Sequence, residues 1–228
     1  MPVLMHGNTP TAMLLEEEEL RYVGPHREAE EDGLPTVYVW QHRLTPDQLV
    51  DLARCRFPLL PFERYEDFKQ KRLVERLSVD MLACALLGQR VRIGHEATGR
   101  PFAEGSRWEI SVSHTGRAFA LSVGRQRHGL DIEGWGSRAL RISRRFLLPE
   151  ELPLLCAFPT LTEEQTAVLL WSAKEAVYKM VSTKEINLIS DICLQASAPG
   201  QLLARVCGAE TFTVYYSLYP SFVCTLCV

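Results

Sequence analysis

The sequence lacks several features that would have decided its class early. No apolar run reaches the roughly 18 residues of a membrane-spanning helix. The opening Met-Pro-Val-Leu-Met-His-Gly has neither the basic start nor the apolar middle of a secretory signal. There is no Gly-x-x-x-x-Gly-Lys-Ser/Thr loop, so a P-loop nucleotide enzyme is excluded. Basic residues are not in excess: the net charge is −3, with both signs interspersed, and general nucleic-acid binding is not expected. The seven cysteines are scattered, and their number is odd. A disulfide framework is therefore not expected, and a reducing cytoplasm is. Cys224 and Cys227 form a C-x-x-C, but no second pair completes a zinc site, and both sit in a strand-like apolar run.

What is present is an ordinary globular composition, 46% hydrophobic over 228 residues, enough for one large domain or two small ones. Residues 1–35 read as a peripheral segment with two acidic runs, Glu16 to Glu19 and Glu28 to Asp32. Thr36 to Gln41 reads as a first strand. Thr45 and Pro46 then open a helix to about Arg54, as capping hydroxyl and first-turn proline. A long helical pattern runs from Phe62 to Leu87 and stops at Gly88. Its apolar stripe is Leu73, Leu77, Met81 and Cys84. Lys69, Lys71, Arg72 and Arg76 make its other side basic, either a solvated face or an anion-binding one.

Arg90 to Ile93 reads as a short strand, followed by a turn at Thr98-Gly-Arg-Pro101. Glu109 to His114 and Arg117 to Val123 read as a hairpin turning at Thr115-Gly116. A strand from His128 to Glu133 follows, then an arginine-rich helix over residues 139–146. Thr162, with Glu164 and Gln165, opens the next helix. Strands are expected over residues 187–196, 202–207, 211–217 and 222–227. The layout is α+β, in two similar α/β halves, 36–126 and 127–228, packed in a pseudo-two-fold arrangement.

Chemistry concentrates in two stretches. On a helix, Trp171-Ser-Ala-Lys-Glu-Ala-Val-Tyr-Lys179 places Glu175 and Lys179 one turn apart on one face. On a strand, Gly129-Leu-Asp-Ile-Glu133 points Asp131 and Glu133 to one side. Three carboxylates from two rigid elements, with a lysine beside them, are the hard-oxygen set of a Mg²⁺ site that handles phosphate. His114, at a strand end, and Arg100, in a rigid turn, are candidate phosphate contacts.

In this order, Gly99-Arg-Pro101, Ser-Val-Ser-His-Thr115, Gly-Leu-Asp-Ile-Glu133 and Trp-Ser-x-Lys-Glu-Ala-x-x-Lys179 resemble the signature of the 4′-phosphopantetheinyl transferases. The resemblance spans roughly residues 36 to 195, and the length and two-half layout resemble the larger, pseudo-dimeric, surfactin-synthetase-activating type. It implies transfer of phosphopantetheine from coenzyme A to a serine of an apo carrier protein, Mg²⁺-dependent, with release of adenosine 3′,5′-bisphosphate. It implies Asp131, Glu133 and Glu175 as metal ligands, and Lys179 as diphosphate contact and aid to the leaving group. It also implies His114, Arg100, Lys71 and Arg72 as coenzyme A contacts. Glu175 would serve both as metal ligand and as the group receiving the serine proton, at separate moments. Asp80 departs from the pattern, standing where relatives often keep an arginine.

Two other readings remain: a different Mg²⁺-dependent nucleotide transferase or hydrolase, and a coenzyme A or carrier-binding protein without turnover. A monomer is expected, since two fused halves complete the site alone. Arg138, Arg141, Arg144 and Arg145 read either as a solvated basic helix or as a docking face for an acidic carrier helix. Whether the carrier serves fatty-acid, polyketide or peptide synthesis is not written in the sequence.

Overall fold

The computed structural model describes residues 12–15, 33–181 and 185–228. Most of the expected peripheral segment, both acidic runs included, lies outside the described residues. One part of it is ordered in a way the sequence did not announce: Ala12–Leu15 (β1) pairs in parallel with Thr36–Gln41 (β2).

Pro46–Arg56 (α1) begins at a capping box. Thr45 Oγ1 accepts the Gln48 amide, and Gln48 Oε1 accepts the Thr45 amide. The single long helix expected from Phe62 is two elements. Phe62–Tyr65 is a 3₁₀ turn, and the α-helix proper is Gln70–Leu87 (α2). Tyr65 explains the break: it is buried and its hydroxyl donates to Asp80, so the chain folds back onto α2 rather than entering it straight.

Ile93–His95 (β3) and Pro101–Ala103 (β4) form a small antiparallel ribbon. The first of these begins later than the expected strand, and the second was not foreseen. Glu109–Thr115 (β5) and Ala118–Gly124 (β6) form the expected hairpin. Gly129–Gly134 (β7) opens the C-terminal half. The arginine-rich helix is two single turns, Arg138–Arg141 (α3) and Ser143–Phe146 (α4), with a 3₁₀ segment over Pro149–Cys156. Glu163–Val181 (α5) starts at the predicted cap, where Thr162 and Gln165 exchange side-chain to backbone hydrogen bonds. Ile192–Ala196 (β8), Gln201–Val206 (β9), Glu210–Leu218 (β10) and Phe222–Cys227 (β11) complete the chain. The strand expected from residue 187 starts only at Ile192, because Asn187 and Asp191 close a turn first.

The two sheets share a pattern. One has the order β1-β2-β6-β5 and the other β7-β11-β10-β9-β8. In each half the first strand pairs with the last, and the last with the one before it. Each sheet carries its helix on one side: α2 packs on β6, and α5 on β7 and β11. Between the halves lies an apolar layer that includes Val37, Val39, Ala120, Leu130, Ile132 and Phe222.

A second device joins the halves. The hydroxyls of Ser111, Ser113 and Thr115 on β5 accept the backbone amides of Leu130, Ile132 and Gly134 on β7, at 2.9, 3.2 and 3.0 Å. Alternate residues of one strand thus serve alternate residues of the next, both numbered in the same direction. This brings β7 against β5 without a backbone ladder, and it fixes the position of Asp131 relative to His114.

All seven cysteines are free. Cys224 packs in the layer between the halves and Cys227 in the core beneath α5, on opposite faces of β11. Residues three apart on a strand cannot converge, so this C-x-x-C is packing. Burial pushes the Cys224 thiol up to about 12. Among the described residues, no helix is long and apolar enough to cross a membrane.

Candidate active site

The site sits where α5 crosses β7, beside the end of β5. Asp131 is its hub. Lys179 Nζ donates to Asp131 Oδ1 at 2.7 Å, and to the Leu130 carbonyl at 3.0 Å. Ser113 donates to the same Oδ1 at 2.8 Å, and Ser172 to Oδ2 at 2.9 Å. Three elements therefore hold one buried carboxylate: β5 through Ser113, and α5 through Ser172 and Lys179. Thr225 on β11 adds contacts to Ser172 and to the Asp131 carbonyl. Charge-assisted bonds of this kind fix the carboxylate in both position and rotation.

Glu133, two residues along β7, lies on the same face. Its Oε1 accepts the Trp171 indole N–H at 3.1 Å. Burial first, then the charge of Asp131, raises its pKa above the usual carboxylate range, opposed by the Trp171 bond. Glu175 is also raised, by burial and then by Asp131, and is opposed by Lys179. The three carboxylates thus sense one another, as the strand and helix spacing required. Among the described residues, no three His, Cys, Asp or Glu side chains converge as a ready-made metal cage. The donor chemistry nevertheless fits Mg²⁺: three hard carboxylates against one ammonium leave the cluster net negative, and a divalent cation would relieve the repulsion that raises Glu133 and Glu175.

The anion-binding candidates gather next to this cluster. His114 Nε2 lies 3.7 Å from Glu75 on α2, and Glu75 is also approached by Lys71 and Arg72, at 3.8 and 3.6 Å. Burial lowers the His114 pKa. Glu75 opposes this, while Lys179, Arg72 and Lys71 add to it. His114, Lys71, Arg72 and Lys179 thus share one electrostatic environment, spanning α2, β5 and α5. Glu75, absent from the sequence reading, is the carboxylate that Lys71, Arg72 and His114 all approach within 4 Å.

Arg100 is placed differently. It is buried, with Nη2 on Glu109 at 2.8 Å and Nη1 toward the carbonyls of Lys179 and Met180 at 3.2 and 3.4 Å. With Arg127, which donates to the Val181 carbonyl, it caps the C-terminal end of α5, where a cation is favoured. Asp80 is explained by its partners: it accepts from Tyr65 at 2.8 Å and from Arg76 at 3.0 Å. Arg76 is therefore turned inward, its side chain only 15% exposed, and does not belong to the exposed basic face.

Ser113, Ser172 and Trp171 carry site geometry that the sequence reading did not assign. Each lies inside a quoted motif, and their spacing from the carboxylates was the available signal.

With this geometry in view, the comparisons agree with its chemistry. Residues 127–227 match the family model described as the 4′-phosphopantetheinyl transferase superfamily. The match covers β7, α5 and the closing strands, and so contains Asp131, Glu133, Glu175 and Lys179. That superfamily uses coenzyme A as donor and acts on carrier proteins, which supports phosphopantetheine transfer in general. No protein of curated function matches the chain.

Proposed function

We propose that this protein transfers the 4′-phosphopantetheine group from coenzyme A to a serine of an apo acyl or peptidyl carrier protein. The observation that carries the reading is the Asp131 hub. A carboxylate locked by Ser113, Ser172 and Lys179, flanked by Glu133 and Glu175, stands beside two cations, Lys71 and Arg72, and the His114 imidazole. A diphosphate spanning the two clusters would meet Lys71 and Arg72 at one end and, at the net-negative carboxylates, the Mg²⁺ that they would hold.

Asp131, Glu133 and Glu175 would hold Mg²⁺, which when bound would neutralise diphosphate charge during transfer. The chain's own residues do the rest. His114, Lys71 and Arg72 orient the nucleotide-side phosphates. Arg100 keeps the role the resemblance gives it, a phosphate contact, and it also acts through the end of α5 that it holds. Lys179 bridges the hub and the departing phosphate. The serine oxygen attacks the pantetheine-bearing phosphorus as the bond to adenosine 3′,5′-bisphosphate breaks. Glu175, with its raised proton affinity, receives the serine proton. The repeated strand order of the two sheets supports a pseudo-two-fold relation of the halves, with one complete site in a monomer. A cytoplasmic setting suits a carrier substrate.

The test is intact-mass analysis of an apo carrier protein incubated with this chain, coenzyme A and Mg²⁺. A gain of one phosphopantetheine, lost with EDTA, is expected. Glu175→Gln should abolish turnover while coenzyme A still binds; near-normal turnover of that variant would remove Glu175 from the proton step. Bound coenzyme A with no transfer to several unrelated carriers would favour a binding protein.

A further inference from the structure

The hydroxyl of Thr225 stands alone in an apolar stripe. Side chains at every second position of a strand share a face, so Val223, Thr225 and Cys227 of β11 point the same way. Val223 and Cys227 belong to the core beneath α5, and Thr225 is fully buried between them. Valine has the shape of threonine and would suit this stripe without burying a polar atom, so the hydroxyl calls for a polar reason. Thr225 also lies outside all four sequence motifs. It is the register partner of Asp131, directly across the ladder between β11 and β7.

The reason lies in the count of protons. A hydroxyl has one proton, and an ionised carboxylate only accepts. Ser172 Oγ lies 2.9 Å from Asp131 Oδ2 and 2.8 Å from Thr225 Oγ1. Asp131 is ion-paired to Lys179 and has no proton to offer, so the Ser172 proton fills the gap to Oδ2. Two hydroxyl oxygens 2.8 Å apart need a proton between them, and Thr225 alone has one left. The chain of donors therefore runs one way, from Thr225 to Ser172 to Oδ2. The carbonyls of Ser172 and Asp131, 3.0 and 3.4 Å from Thr225 Oγ1, are the longer contacts. Ser113 repeats the device on the other oxygen: its Oγ accepts the Ile132 amide at 3.2 Å and donates to Oδ1 at 2.8 Å. In each serine a lone pair is occupied by a donor, and the proton has one direction.

The two oxygens of Asp131 are not equivalent. Oδ1 accepts both Lys179 and Ser113, which uses its lone pairs. Among the described residues, Oδ2 accepts Ser172 alone. Oδ2 is thus the oxygen with capacity left for a cation, and Ser172 and Thr225 act on that oxygen. We infer that Thr225 is a positioning residue for Asp131: by holding a lone pair of Ser172, it keeps the serine proton on Oδ2 and so fixes the rotation of the carboxylate that would hold Mg²⁺. The inference rests on the transferase reading, which is what calls for a metal here. Without the threonine hydroxyl, Ser172 is a serine inside a helix, free to turn its proton to the Val168 carbonyl one turn earlier. Oδ2 then loses the bond that orients it.

The test compares Thr225→Val, which keeps the shape and removes the donor, with Thr225→Ser, which keeps the donor and removes a methyl group. Mg²⁺ affinity is read by calorimetry with the metal alone, and stability by thermal melting. Thr225→Val should weaken Mg²⁺ binding about tenfold, the loss expected when an outer partner of a metal ligand is removed. Thr225→Ser should bind Mg²⁺ within about twofold of the wild type, although the lost methyl group lowers its melting temperature. Metal affinity then follows the hydroxyl and not the stability, which a packing role would not produce. Ser172→Ala should weaken the metal by itself. Adding Thr225→Val to it should change the affinity by less than about twofold, because the threonine acts through the serine. Wild-type Mg²⁺ affinity in Thr225→Val, an equal loss in Thr225→Ser, additive losses in the double variant, or a wild-type chain that takes up no Mg²⁺ would each overturn the inference. If these metal affinities hold and the wild type modifies no carrier, the transferase reading fails while the metal role of Thr225 stands.

Discussion

A Cβ added to Gly129 would lie 1.9 Å from the Ala176 carbonyl oxygen and 2.5 Å from the Met180 amide. The start of β7 therefore touches the backbone of α5 directly, in the very turn between Glu175 and Lys179. Both obstructing atoms are backbone, so no side chain can turn aside. Only glycine allows this approach, and the approach is what places Lys179 on Asp131. Gly129→Ala should force α5 away, costing about 3 kcal/mol by overpacking, with larger relative loss of turnover than of stability. Thermal denaturation beside carrier modification checks this; wild-type turnover in a folded Gly129→Ala chain would refute it.

Lys174, next to Glu175, is spent on structure. Its Nζ is 2.8 Å from Glu151, both side chains are fully buried, and it also donates to the Ile192 carbonyl at 2.7 Å. Glu151 in turn accepts the Leu148 and Leu194 amides. Lys174→Met alone leaves a buried carboxylate without its cation, and about 3–5 kcal/mol of stability should be lost. Adding Glu151→Gln, which keeps an acceptor for a backbone amide, should recover part of that loss. Urea titration of the single and double variants measures the coupling.

How much of this was legible depended on whether a residue's role was local. Helix starts at Thr45 and Thr162 were readable because a capping box is a four-residue event. The carboxylate faces were readable because strand and helix periods place Asp131 with Glu133, and Glu175 with Lys179. Roles that depend on another part of the chain were not. The polar positions Ser111, Ser113 and Thr115 alternate as in any half-exposed strand, yet they face β7, and nothing local distinguishes water from a partner strand. Arg100 read as a candidate phosphate contact in a rigid turn; its hold on the far end of α5 depends on a contact 79 residues away. Arg76 likewise read as exposed until Asp80 and Tyr65 were seen to draw it inward. The break before α2 was hidden because Tyr65 fits a helical pattern as well as a 3₁₀ turn.

His42 gives the fold a dependence on pH. Its folded pKa of about 4 lies below the unfolded value of about 6.5. Between these values the unfolded chain binds the extra proton, so stability must fall as pH drops from 6.5 toward 4. His128, buried at the head of β7 and also shifted downward, contributes in the same direction. The pair His42→Phe with Ser78→Ala removes the titrating group without leaving the Ser78 hydroxyl unpartnered. The melting temperature of that variant should fall less steeply between pH 7 and pH 4.5 than that of the wild type. Parallel slopes would show that His42 charges without cost.

Lys179 offers a test in which two readouts move in opposite directions. Its ammonium partly offsets the negative charge of Asp131, 2.7 Å away, and opposes the upward shifts of Glu133 and Glu175. Lys179→Met removes that cation and keeps much of the apolar stem. Turnover should fall by about 100-fold or more, the loss expected for one donor aimed at developing charge. Affinity for Mg²⁺ should rise by a few-fold, because the carboxylates then face the ion without a competing positive charge. A merely structural lysine would weaken both together by loosening α5 from β7. Calorimetric titration of Mg²⁺ into the variant, beside carrier modification, separates the cases: tighter metal with lost turnover assigns Lys179 to the transferring phosphate, and weaker metal with lost turnover assigns it to the scaffold.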